Sequence, residues 1–269
     1  MLANLLFWRR PRVVVVELHG LLARREGALN LKSVGPAVER AFRAAAAHGG
    51  HVVLDIDCRG GSAVQSELIA ALIRRHAAKS SASVHAVIQE VGASGGYWLA
   101  CAADEIRANA MSIVGSIGVI GGGFGVTELL ARAGIERRLY TAGENKARLD
   151  PFSPERPQDV AFVRQLLADI HERFKAYVRS RRGARLKGTD AEMFDGSFFL
   201  GDRALALGLI DGFSDIDRLV HELGGDRAVA RVFRPRRARG LLSRLPRLAG
   251  AELAEAALDA IEARALPRL

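Results

Sequence analysis

Three β-branched runs, each closed by glycine and each followed by a helix-compatible stretch, constrain this chain most. Val13 to Leu18 closes at Gly20, Val52 to Asp57 breaks at Cys58-Arg59-Gly60-Gly61, and Val84 to Val91 ends at Gly92. Val34 to Ala47 lies between the first two, with apolar residues on one face and Glu39, Arg40 and Arg43 on another. A second helical stretch runs from near Ser62 to Lys79. Strand, helix, strand, helix, strand in this rhythm predicts parallel pairing through right-handed crossovers. The expected fold class is α/β with a parallel sheet. At 269 residues and 49% hydrophobic, the chain can build one large core with extensions.

Beyond Ala103 the runs shorten. Glu105 to Ala108, Ile117 to Ile120 and Ile135 to Thr141 are expected as strands, and Thr127 to Ala133 as a helix. Pro151, Pro154 and Pro157 mark a loop ahead of a long amphipathic helix, Val160 to Arg181, whose apolar residues are Phe162, Leu166, Leu167, Ile170, Phe174 and Val178. Helices over Arg203 to Leu207 and Asp215 to Leu223 and a strand over Val229 to Phe233 follow. Composition shifts at Arg234, where a basic linker leads to an alanine-rich helix from about Ala251 to Ala265. The division expected is an apolar and basic segment over 1–12, a domain over 13–233 and a helical tail over 234–269.

Charge and cysteine use exclude several functions. The net charge of +9 comes without a nucleic-acid motif or aromatic–basic interleaving, so contact with anionic lipid headgroups or simple solubility is the expected use of the basic surface, and nucleic acid is not an expected partner. Cys58 and Cys101 offer neither metal spacing nor a disulfide framework, and no metal or cofactor is expected. Met1 to Trp8 is too short to span a membrane, and its charges at Arg9, Arg10 and Arg12 follow the apolar run, whereas a signal peptide's charges precede it. The expected location is cytoplasmic or peripheral to a membrane.

The chemistry centres on Gln89 to Gly122. There Ser94 follows the third strand in Gly92-Ala93-Ser94-Gly95-Gly96 and precedes a helix-compatible segment, Tyr97 to Ala103. A serine at such a turn exposes its hydroxyl at the strand's end, beside the outward N–H groups of a helix start. The plainer alternative is a tight turn with a capping serine. Glycine-rich turns at Gly60-Gly61, Gly95-Gly96 and Gly121 to Gly123 would gather at the carboxyl ends of parallel strands, where ligands bind. With no phosphate-loop pattern present, backbone donors there suit an oxyanion better than a nucleotide. A serine nucleophile needs a base. His19, His48, His51, His76, His85, His171 and His221 are scattered, and nothing in the sequence places any of them in a Ser-His-Asp triad. Lys146, in the turn Gly143-Glu144-Asn145-Lys146, is the other candidate, provided it is removed from water. Ser116 could hold its amine in line.

Gly92-Ala93-Ser94-Gly95-Gly96-Tyr97, then Gly115-Ser116-Ile117-Gly118-Val119, then Thr141-Ala142-Gly143-Glu144-Asn145-Lys146 resemble, in order and spacing, the signal peptide peptidases (SppA/SohB-like serine peptidases). The resemblance covers roughly Val13 to Gly212, including Phe199 to Leu205 and Gly208 to Asp211, which resemble the family's closing helix and turn. It implies a ClpP/crotonase-like fold of repeated β-β-α units and a Ser–Lys dyad that hydrolyses unfolded or membrane-released peptides through an acyl-enzyme. By position, Ser94 is similar to the nucleophile, Lys146 to the general base and Ser116 to the hydroxyl that orients it. Gly60, Gly61 and Gly95 are similar to the oxyanion donors. The resemblance also implies a homo-oligomer in which serine and lysine come from neighbouring subunits. Two features depart from the family. Cys58-Arg59-Gly60-Gly61 stands where Ser-Pro-Gly-Gly is usual, and the family's N-terminal membrane helix is not seen. The competing expectations are an inactive membrane-surface scaffold of the same fold and a crotonase-type acyl-CoA enzyme.

Overall fold

The computed structural model describes residues 11–47 and 49–236. The apolar run over 1–8 and the alanine-rich helix expected in the tail lie outside the described residues.

The three β-branched runs become the centre of one sheet: Arg12–His19 (β1), His51–Cys58 (β2) and Ser83–Ala93 (β3). They pair in parallel, Val14 opposite Val52 and Val52 opposite Val84. Leu31–Ala45 (α1), Ala63–Ser80 (α2) and Gly95–Ala100 (α3) follow them. Alternate strand residues point to opposite faces. One set, including Val14, Val16, Leu54, Ile56 and Ile88, packs with Val38, Phe42, Ile69, Ile73 and Leu99 of these helices. Helix α1 begins three residues before the expected Val34, because Asn30 and Ser33 exchange reciprocal hydrogen bonds of 3.0 and 3.1 Å across its first turn.

Glu105–Ala108 (β4) pairs with β3, and so does Ile113–Gly115 (β5), where Ala93 lies opposite Gly115. Thr127–Arg132 (α4) and Pro157–Arg182 (α5) follow, then Asp190–Met193 (α6), Phe198–Leu200 (β6), Gly201–Ala206 (α7), Gly212–Phe213 (β7), Ile216–Gly224 (α8) and Val229–Phe233 (β8). The sheet order is β6-β5-β3-β2-β1-β8, with β4 bridging β3 to β7, and only β6 runs antiparallel. Leu219 and Val220 of α8 cover Val13, Val15, Val53 and Val87 on the opposite face. A largely parallel sheet is thus covered over its central strands on both faces.

Two expected strands do not form. Ile117 to Ile120 is irregular, since the chain turns at Ser116 with φ 49° and the strand there is β5, a few residues earlier. Ile135 to Thr141 lies exposed without a partner strand, with Ile135 58% and Tyr140 88% accessible. Its β-type composition has no neighbouring edge to complete. In α5 only the second half of the apolar stripe is covered. Phe174 and Val178 are buried, but Phe162 and Leu166 remain about half exposed.

The closing turn after α7 is locked to the core. Buried Arg182 donates to both carboxylate oxygens of Asp211, at 2.7 and 2.9 Å, and to the Gly208 carbonyl. Asp211 also accepts from the Ile106 N–H at 2.7 Å, and the buried Tyr97 hydroxyl donates to the Leu209 carbonyl at 2.7 Å. Helix α3, which opens just after Ser94, is held in place by this network. Beyond β8, Arg234 pairs with Glu17 at 2.8 Å and the Arg236 N–H bonds the Ser33 carbonyl, so both residues lie on the domain.

Candidate active site

Ser94 sits where β3 ends and α3 begins, with φ 53° and ψ −121°. A non-glycine residue in such a region costs about 1–3 kcal/mol and is kept where the surroundings impose it. Here they do. The Ser94 N–H donates to the Gly115 carbonyl at 2.8 Å, and the Ser94 carbonyl accepts from the Trp98 N–H at 3.0 Å. The side chain makes no capping hydrogen bond, which removes the plain capping role and leaves the hydroxyl available at a half-buried position.

Gly60 lies directly against it. A methyl group on Gly60 would come within 2.8 Å of Ser94 Cβ and 3.0 Å of Ser94 Oγ. Gly60 and Gly61 adopt φ of 105° and 124°, which L side chains rarely adopt, so glycine supplies the turn without the missing proline. The loop is pinned by Leu22, whose N–H donates to the Gly60 carbonyl at 2.8 Å and whose carbonyl accepts from the Ser62 N–H at 2.7 Å. Among the described residues no hydrogen bond engages the N–H of Gly61 or of Gly95. Gly95 itself packs closely on Ser66, a buried serine whose Oγ donates to the Ser62 carbonyl at 2.9 Å.

The pairing of Ala93 with Gly115 puts Ser94 and Ser116 just beyond the paired ends of the neighbouring strands β3 and β5. Ser116, half-buried, is held by its N–H to the Ser197 carbonyl at 2.7 Å. Ser94, Gly60 and Gly95 are thus in contact, Gly61 follows Gly60 in the same turn, and Ser116 ends the strand beside that of Ser94. Lys146 is not joined to them. It stands exposed on a turn closed by its own N–H to the Gly143 carbonyl at 3.2 Å, and among the described residues its ammonium makes no hydrogen bond or ion pair.

None of the described histidines hydrogen-bonds Ser94. His19 is paired with Asp55 at 3.0 Å, and this hydrogen bond raises its pKa above the usual range for imidazole. His51 faces His85 at 3.3 Å, which in turn faces Glu105 at 3.2 Å, and His76 stacks on Phe42. His171 of α5 reaches the Ile117 carbonyl at 2.9 Å and braces the segment after Ser116. Little in the sequence signals that contact, beyond His171 lying about one turn before buried Phe174 in α5. Burial pushes both cysteine thiols up to about 12, so neither supplies a base or a thiolate at neutral pH. Among the described residues no cluster of His, Cys, Asp or Glu is placed to hold a metal ion, and no helix is long and apolar enough to cross a membrane.

Comparison with known proteins supplies the remaining constraint. A profile of Peptidase family S49 matches residues 76–230. Over 236 residues the chain is 42% identical to a protein of Brucella melitensis biotype 1 named Na(+)/H(+) antiporter NhaA, covering 86% of this chain and 31% of that protein. It is 27% identical over 211 residues to a protein of Buchnera aphidicola subsp. Baizongia pistaciae provisionally named protease SohB, covering 78% and 58%. The chain thus spans less than two thirds of the length of either relative. Among solved structures, the membrane-bound stomatin-specific protease 1510-N, as a lysine-to-alanine mutant with a substrate peptide, matches with a TM-score of 0.51 at 17% identity, over 87% of this chain and 97% of that one. This is a likeness of fold, and the fold is ClpP-like.

Proposed function

The chain belongs to peptidase family S49, and from that premise we propose that it is a serine endopeptidase in which Ser94 attacks and Lys146 is the base. The observation that carries this reading is the Ser94 hydroxyl itself: uncapped, at a strained strand-to-helix turn, against Gly60, with the Gly61 and Gly95 amides free to donate. Neutral Lys146 Nζ takes the Ser94 proton as Oγ attacks the scissile carbonyl carbon. The Gly61 and Gly95 N–H groups hold the oxyanion, a type of contact worth about 10²–10³ in rate per donor. The lysine ammonium then protonates the leaving amine, and water, deprotonated by the same amine, releases the acyl group. Ser116, at the end of the strand beside that of Ser94, accepts from and orients the lysine.

An ordinary lysine titrates near ~10.4, and removal from water lowers it by up to several units. Exposed Lys146 meets that condition once another surface covers its turn. A second copy of the chain is the occupant proposed, because the segment carrying Lys146 also exposes Phe124, Leu129, Ile135 and Tyr140, followed by the uncovered face of α5 at Phe162 and Leu166. The substrates are unfolded or membrane-released peptides. A serine-directed phosphonate should label the wild-type protein on Ser94, with labelling lost in Ser94→Ala and reduced by roughly 10³-fold or more in Lys146→Ala. Absence of labelling, or full labelling of Lys146→Ala, would refute the dyad.

A further inference from the structure

Asp159 is buried, 3% exposed at the first turn of α5 in a stretch whose neighbours mostly face water. Burying a carboxylate is costly unless partners compensate it. Two do. Arg156 Nε donates to Oδ2 at 2.7 Å, and Arg148 Nε stands 3.3 Å from Oδ1, an ion-pair distance without the alignment of a hydrogen bond. The Arg148 guanidinium also lies over the Phe162 ring at 4.2 Å. Arg156 is local to the helix start. Arg148 is not: it lies two residues beyond Lys146, in the same turn. Apart from this clamp, the turn is held by its own hydrogen bonds, Lys146 N–H to the Gly143 carbonyl and Arg148 N–H to the Asn145 carbonyl at 3.4 Å.

We propose that Asp159 is a positioning residue for Lys146, pinning the turn that carries the lysine to the start of α5 through Arg148. The inference rests on the reading of Lys146 as the base. A base must lie within hydrogen-bond reach of the proton it takes, and misplacement by 1 Å can cost about 10²-fold in rate. On a turn without regular structure, a buried ionic contact two residues from the lysine supplies that precision, while the Arg137–Asp150 pair at 2.9 Å holds the chain just beyond the turn.

The two arginines separate positioning from folding, since each is a partner of the same carboxylate and only one is tied to the lysine. Arg148→Met should lower kcat roughly 10–100-fold with KM little changed, and Arg148→Lys should recover part of the loss. Arg156→Met should keep kcat within about 3-fold, well below the effect of a 1 Å displacement. Thermal melting of each variant confirms that it folds. Asp159→Asn should behave like Arg148→Met. Equal losses in Arg148→Met and Arg156→Met, or wild-type kcat in Arg148→Met, would overturn the proposal while Lys146→Ala stays inert. An active Lys146→Ala would instead remove the reading beneath it.

Discussion

Ser94 shows how much one residue's surroundings decide. Its positive φ is held by the hydrogen bond its N–H donates to Gly115 and the one its carbonyl accepts from Trp98, and its side chain makes no capping bond. The neighbouring glycine is as constrained. In Gly60→Ala the new methyl group would press on Ser94 Cβ and Oγ from a backbone angle of 105°. We expect phosphonate labelling to fall to background and stability to drop by about 1–3 kcal/mol, read from thermal melting. Full labelling in a stable Gly60→Ala protein would contradict the contact. The place of Ser94 at the end of a strand was legible in the sequence, because it follows an unbroken β-type run closed by glycine, whereas the strand near Ser116 was expected after it, over Ile117 to Ile120, and forms before it, over Ile113–Gly115. The spacing of Lys146 along the chain says nothing of where a loop rests, and the pairing of Arg148 with Asp159 has no periodicity to reveal it.

Among elements, β1, β2 and β3 were readable because a strand buried on both faces leaves an unbroken β-branched run. Ile135 to Thr141 carries the same residue types and stays irregular, since strand formation needs a partner that local sequence does not report. Helix α5 misleads in another way. Its stripe is continuous in sequence, yet its covered part ends in a buried arginine, Arg182, held by Asp211. Removing one partner strands the other charge, so Asp211→Ala should cost on the order of 3–5 kcal/mol in chemical denaturation. Burial alone would raise the Asp211 pKa, but the hydrogen bonds from Arg182 and the Ile106 N–H outweigh it and hold it below the usual carboxylate range. The stability this contributes is complete above the unfolded value near ~3.9 and is lost as pH falls through the lower folded value. Asp211→Asn should therefore flatten the acid limb of the stability curve below about pH 4. An unchanged acid limb would mean that other carboxylates govern it.

On the scale of the whole molecule, the domain is a covered parallel sheet with Ser94 and its glycine turns at one end and an exposed apolar segment carrying Lys146, the proposed base. The core and the turns around Ser94 can be read within one chain. The surface that would remove Lys146 from water cannot, since on the proposed reading it belongs to a second copy, a reading supported by the exposed apolar residues on the segment that carries the lysine. The most direct measurement is to mix two inactive proteins, Ser94→Ala and Lys146→Ala, under conditions where wild-type subunits exchange, and to assay peptide hydrolysis. Activity should return in the mixture, because a mixed assembly unites an intact serine with an intact lysine. A mixture as inert as its components, despite demonstrated exchange, would contradict an active centre shared between copies.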